Sequence, residues 1–210
     1  MKTGFLLGVS LCVLTACSGS GSLPNQAPQV STRHWLPTHD DARFNGEIQP
    51  PESLQEDACA LLDNRPHWRL ALGQTRAKWG VEPWYVLAFL HQESRFNPTA
   101  MSTSRAYGYA QVKDESWDWY ILKTGNKGGS RERFDDAVDF MGFYATQNEK
   151  RNGVALNDVK NQYLAYHEGM GGFERGSFLG KPWLLTISDK VLDRAAMYQA
   201  QLLDCPIVAQ

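Results

Sequence analysis

The sequence predicts a mainly α fold, a single domain preceded by an N-terminal tether. Apolar residues recur at spacings of three and four from about residue 52 onward, and no segment alternates apolar and polar residues as a half-buried strand would. Gly and Pro also stand where helices would stop and start.

The elements follow in order. Pro50-Pro51 precedes a helix from about Glu52, with Leu54, Ala58, Leu61 and Leu62 on its inward face and Cys59 along it. A second helix runs from Trp68 to Trp79 and stops at Gly80, and Pro83 suits the first turn of the next. Trp84 and Val86 to Leu90 make that third helix apolar almost all round, which predicts burial; it ends near Glu93-Ser94. After a loop containing Pro98 and Gly108, Asp114 is expected to cap a helix carrying Trp117, Trp119, Tyr120 and Leu122 up to Gly125. Asp135 and Asp136 favour another helix start, with Ala137, Phe140, Met141, Tyr144 and Ala145 inward and Asn152-Gly153 as its stop. Asn157 or Asp158 starts a helix through Val159, Tyr163 and Tyr166, a turn spans Gly169 to Gly172, and a last helix from about Ser188 carries Val191, Leu192, Ala195, Tyr198 and Leu202.

At 210 residues and 42% hydrophobic the chain can build one real core. Its net charge of -2 gives no basic excess, so nucleic acid is disfavoured as a partner.

The first residues concern address. Lys2 is followed by an apolar run, Gly4 to Ala16, of roughly 20 Å as a helix, short of the about 30 Å of a hydrocarbon core. Residues 1–16 therefore read as a secretory signal that is removed. Leu14-Thr15-Ala16-Cys17 resembles a bacterial lipobox, which implies that Cys17 becomes the first mature residue and carries the lipids; an incidental Cys17 beside plain signal cleavage is the alternative. Ser18, where an Asp would stand otherwise, resembles lipoproteins sent to the outer membrane, so the expected place is its periplasmic face. Residues 17–51, rich in Ser, Gly and Pro, read as a flexible tether, 52–205 as the folded domain and 206–210 as a tail. With Cys12 lost and Cys17 an anchor, Cys59 and Cys205 remain, and in an exported domain they are expected to form one disulfide; two unpaired buried thiols are the alternative.

The sharpest candidate for chemistry is Glu93. Phe89 and Leu90, four and three residues earlier, share its helix face, and burial against them would raise its pKa as a general acid near neutral pH requires. Position alone favours the alternative, a solvent-facing residue of a last helical turn. The segment that follows closely resembles the signature of the soluble-lytic-transglycosylase type of domain, a goose-type-lysozyme-like family. Glu93-Ser94 is followed at the family's offsets by Phe96, Pro98, Ala100, Ser102, Ala106, Gly108 and Gln111. A later Ala-Tyr-Asn-Ala-Gly element is answered in part by Ala165-Tyr166-His167-Glu168-Gly169, with His167 in place of the usual Asn. The resemblance covers roughly residues 68–202 and implies a lysozyme-like catalytic domain acting on peptidoglycan glycan strands, with no cofactor and no metal.

Glycoside cleavage ordinarily uses two carboxylates. The resemblance implies instead that Glu93 alone protonates the leaving oxygen, the substrate's N-acetyl group assists, and Glu93 then takes the proton of the 6-hydroxyl to give a 1,6-anhydromuramic end. Ser102 and Gln111 read as substrate-positioning groups, and Tyr166 as the tyrosine that bonds the catalytic carboxyl or the sugar. Gly108 marks a close approach to sugar or a positive φ. Tyr107 and Tyr109 either stack on sugar rings or fill the core. Glu168 is either an exposed loop acid or a second carboxylate that raises the Glu93 pKa or activates water. The last option would make the protein a hydrolytic muramidase, and a wall-binding lipoprotein with a degenerate site is the further alternative. His91 and Glu93 point in different directions on their helix, no His-Glu-x-x-His pair occurs, and Gly176 to Lys181 falls one residue short of a phosphate loop.

Overall fold

The computed structural model describes residues 55–207. The export segment, Cys17, the tether, residues 52–54 and residues 208–210 lie outside the described residues. Eight α-helices make up most of what is described, with no β-strand among the described residues. No described helix is long and apolar enough to cross a membrane.

The helices are α1 (Ala58–Asn64), α2 (Pro66–Trp79), α3 (Pro83–Ser94), α4 (Asp114–Thr124), α5 (Phe134–Asn152), α6 (Val159–Glu168), α7 (Met170–Glu174) and α8 (Pro182–Gln201). Proline stands in the first turn of α2, α3 and α8, where its missing N–H costs nothing. Gly80 closes α2 at φ 72 and returns its N–H to Arg76, a left-handed cap that a side chain would oppose. The α3 helix is the central element: Tyr85 through Leu90 are all at most 2% exposed, enclosed by α8, α2 and α5. Around it α2 lies along α5, and α6 along α8. Trp68 stacks on Phe134 with ring centroids 3.9 Å apart and meets Phe96 and Tyr109, which fixes the loop after α3 onto the core.

The first and last helices are tied together. A disulfide joins Cys59 to Cys205, with Cα atoms 5.8 Å apart. Gln201 brackets the start of α1 by accepting from the Ala58 N–H at 2.8 Å and donating to the Glu56 carbonyl at 2.8 Å. Ile207, in the expected tail, is buried, so the chain stays on the core past Cys205.

Several boundaries differ from those expected, each for a local reason. Helix α1 starts at Ala58 rather than near Glu52, because Asp57 is extended and its carboxylate accepts the Ala60 N–H. Asp114 is the first helical residue of α4 and not its cap; its carboxylate pairs with Arg131 at 2.7 Å instead. The expected glycine turn is confined to Gly169, since residues 170–174 form α7. Helix α8 begins at Pro182, six residues before Ser188. Leu122 and Leu192, named among the apolar residues their helices carry, are 80% and 41% exposed.

Candidate active site

The site forms where α3 ends and α6 passes it. Glu93 occupies the last turn of α3, and its Oε1 is shut off from solvent without a hydrogen-bond partner. Burial raises its pKa from the ordinary 4.5 to about 7, against the opposing influence of the Tyr163 hydroxyl, which favours the charged form. The apolar wall beside it is aromatic. The Phe89 ring lies 5.0 Å from Tyr163 and 5.9 Å from Tyr166, and Tyr85 is 4.3 Å from Phe89. An acid with its proton held near neutrality in a dry aromatic wall can protonate a weakly basic oxygen.

Tyr163 is the functional candidate that sequence reading missed, having named it only along a helix. The signal was available, since Tyr163 and Tyr166 are three residues apart and therefore neighbours on one face of α6. Tyr166, the residue carried over by resemblance, lies close enough for the charge of Glu93 to push its pKa up after burial, yet its hydroxyl donates to the Ala110 carbonyl. It thereby clamps the loop to α6.

That loop, residues 95–113, is held in a costly conformation. Arg95, Phe96, Arg105 and Gln111 have φ of 53, 59, 65 and 49, each a left-handed position worth about 1 kcal/mol or more for a residue with Cβ. Internal bonds offset this. The Gln111 amide nitrogen donates to the Ala100 and Gly108 carbonyls at 2.8 and 3.0 Å, and Ser102 Oγ accepts from the Ala106 N–H at 2.9 Å. These polar atoms of Ser102 and Gln111 thus brace the loop; Gln111 Oε1 is the remaining acceptor. At Gly108, φ 79, a Cβ would stand 2.2 Å from the Arg131 carbonyl oxygen, so the close approach is to the protein's own backbone. Tyr109 belongs to the core, whereas Tyr107 lies at the surface with its hydroxyl on Glu132 and Arg131 over its ring.

Glu168 is not an exposed loop acid, for its side chain is 4% exposed at the end of α6. Burial alone would raise its pKa, but hydrogen bonds from Lys181, Ser177 and His167 outweigh it and hold the carboxyl near 2. Lys181 Nζ spans both oxygens at 2.7 and 2.9 Å. The Gly176–Lys181 segment discounted as a phosphate loop is one turn of 3₁₀ helix that delivers this lysine and Ser177. On the far side of α3, His91 is buried and accepts at Nε2 from Arg95 at 3.0 Å, although the Glu56 carboxylate is only 3.6 Å away. Burial, with Arg194 and Arg95, prevails and drops its pKa to about 4, so His91 is neutral.

Comparison with known proteins agrees with this geometry. The family model described as the transglycosylase SLT domain matches residues 5–205, a wider span than the 68–202 of the sequence signature. Membrane-bound lytic murein transglycosylase C of Pectobacterium atrosepticum is 34% identical over 105 residues, covering 50% of this chain and 28% of that protein. The chain therefore matches little more than a quarter of that relative's length. On the family match across nearly its whole length, together with the helical architecture around Glu93, the chain belongs to the transglycosylase SLT domain family.

Proposed function

We propose that the protein is a lytic transglycosylase that cleaves the bond between N-acetylmuramic acid and N-acetylglucosamine in peptidoglycan and leaves 1,6-anhydromuramic ends. The observation that carries this reading is the solitary, desolvated carboxyl of Glu93. Its pKa is set by burial and by Tyr163, with no second carboxylate acting on it. Glu93 gives its proton to the glycosidic oxygen as the bond to the anomeric carbon breaks, while the substrate's N-acetyl group shares the charge that develops there. The resulting Glu93 carboxylate, favoured by the Tyr163 hydroxyl, accepts the proton of the 6-hydroxyl as that oxygen closes on the anomeric carbon. Glu93 ends protonated, and no water is consumed.

Glu168 takes no part as a base. A carboxylate held near 2 by a lysine and a serine is a poor acceptor for a water proton, which supports transglycosylation over hydrolysis. Ser102 and Gln111 act by shaping the loop that borders the substrate, and Tyr166 by docking that loop beside Glu93. In this reading Cys17 carries lipid and residues 17–51 give reach from the periplasmic face of the outer membrane to the wall; the name of the Pectobacterium relative, membrane-bound, supports an envelope location. Incubating the purified protein with wall sacculi tests the assignment. Glu93→Gln is expected to abolish release of soluble fragments, and unchanged release by that variant would refute it.

A further inference from the structure

Trp183 stands at the start of α8 and is 52% exposed, although the adjoining Leu184 is fully buried. A single exposed apolar side chain is ordinary. What sets this one apart is its support and its place. Its ring meets His167 nearly edge-on, with centroids 5.2 Å apart. His167 Nδ1 lies 3.1 Å from Glu168 Oε1, and Glu168 is in turn fixed by Lys181 and Ser177. A carboxylate held by a partly exposed lysine thus fixes an imidazole, which meets an exposed indole.

The position follows from helix geometry. His167 comes four residues after Tyr163, so the two share one face of α6 about 6 Å apart along its axis. The Tyr163 hydroxyl acts on Glu93. Helix geometry therefore sets His167, with Trp183 against it, one turn of α6 beyond Tyr163. A pyranose presents an apolar C–H face ringed by hydroxyls, and a flat indole with a polar N–H edge matches both. An indole already held in place also loses little freedom when a ring settles on it.

We propose that Trp183, propped by His167, is a stacking platform for a sugar ring some distance from the scissile bond, so that it reads the length of the bound glycan. The inference rests on Glu93 marking the point of glycan cleavage. The Glu93→Gln protein serves to hold strands uncut, and calorimetry measures its affinity for soluble, uncross-linked strands from disaccharide to octasaccharide. Affinity is expected to climb with length. Adding Trp183→Ala is expected to remove that climb and weaken the longest strand about tenfold. Trp183→Phe should retain most of the gain and His167→Ala part of it, with melting temperatures unchanged. Equal affinities with and without Trp183→Ala at every length overturn the platform and leave the proposed function standing. Uniform weakening at all lengths together with a lowered melting temperature also overturns it, by showing a structural role. If Glu93→Gln binds no strand of any length, the glycan reading itself fails and the platform with it.

Discussion

The hydroxyl of Tyr163 acts on the Glu93 carboxyl and favours its charged form, while burial of that same carboxyl favours the neutral form and wins. The balance puts the pKa at about 7, where one group can both give and take a proton within a reaction cycle. Removing the hydroxyl tilts this balance. Tyr163→Phe is expected to move the alkaline limb of the pH–rate profile upward and to lower kcat, because in the proposed reaction the carboxylate that accepts the second proton loses the hydroxyl that favours it. Profiles of initial rate against pH for both proteins check this; an alkaline limb that stays near 7 would remove Tyr163 from the site.

The buried carboxyl also has a cost in stability. Between 4.5 and about 7 the native state keeps a proton that the unfolded chain gives up, so stability falls as pH rises through that window, by on the order of 3 kcal/mol. Glu93→Gln escapes this loss. It should be the more stable protein at pH 8 and nearly equal at pH 4, as urea denaturation at the two pH values would show. His91 works in the opposite sense: held neutral with a pKa of about 4, it loses stability as pH falls from 6.5 toward 4. The two slopes oppose each other from about 4.5 to 6.5, and His91→Gln should expose the uncompensated fall with rising pH due to Glu93.

Lys181 is the cation on which the buried carboxylate of Glu168 depends most. Lys181→Met should destabilise the protein by about 2 kcal/mol, less than for a fully enclosed pair because the lysine side chain is 39% exposed. The double variant with Glu168→Gln should recover much of the loss. A thermal-unfolding double-mutant cycle reads the coupling directly, and purely additive losses would contradict the pairing.

Gly108→Ala is expected to cost about 3 kcal/mol or more, since its Cβ would meet backbone, the Arg131 carbonyl at 2.2 Å, at a φ that L residues avoid. The loop on which Gln111 and Tyr166 converge would shift, so activity should fall even where the protein remains folded. Chemical denaturation and fragment release measure the two effects separately.

How far the sequence foretold this molecule depended on whether a feature is local. Helices α2, α3 and α5 were legible because apolar residues recur through them and a local stop or start marks each, Gly80 after α2, Pro83 opening α3 and Gly153 after α5. The start of α8 was not read, although Pro182 follows Gly180 closely; the apolar stripe is clearest only after Ser188. Tyr163 and Tyr166 look alike in sequence, and only the approach of α6 to α3 decides which hydroxyl meets Glu93 and which meets the Ala110 carbonyl. Glu168 is the clearest such case. Its neutralising partners arrive from nine and thirteen residues later through a 3₁₀ turn that no periodicity announces. Ser102 and Gln111 were read as substrate-positioning groups, but their bonds to the loop's own backbone emerge only from its left-handed turns.

The central claim is that Glu93 works alone and that the substrate's own 6-hydroxyl, not water, completes the reaction. The mass of the muropeptides released from sacculi tests it most directly. Products one water lighter than those of a hydrolytic muramidase, absent from the Glu93→Gln digest, are the predicted result. Products bearing the added water, or equal release by the variant, would contradict the account.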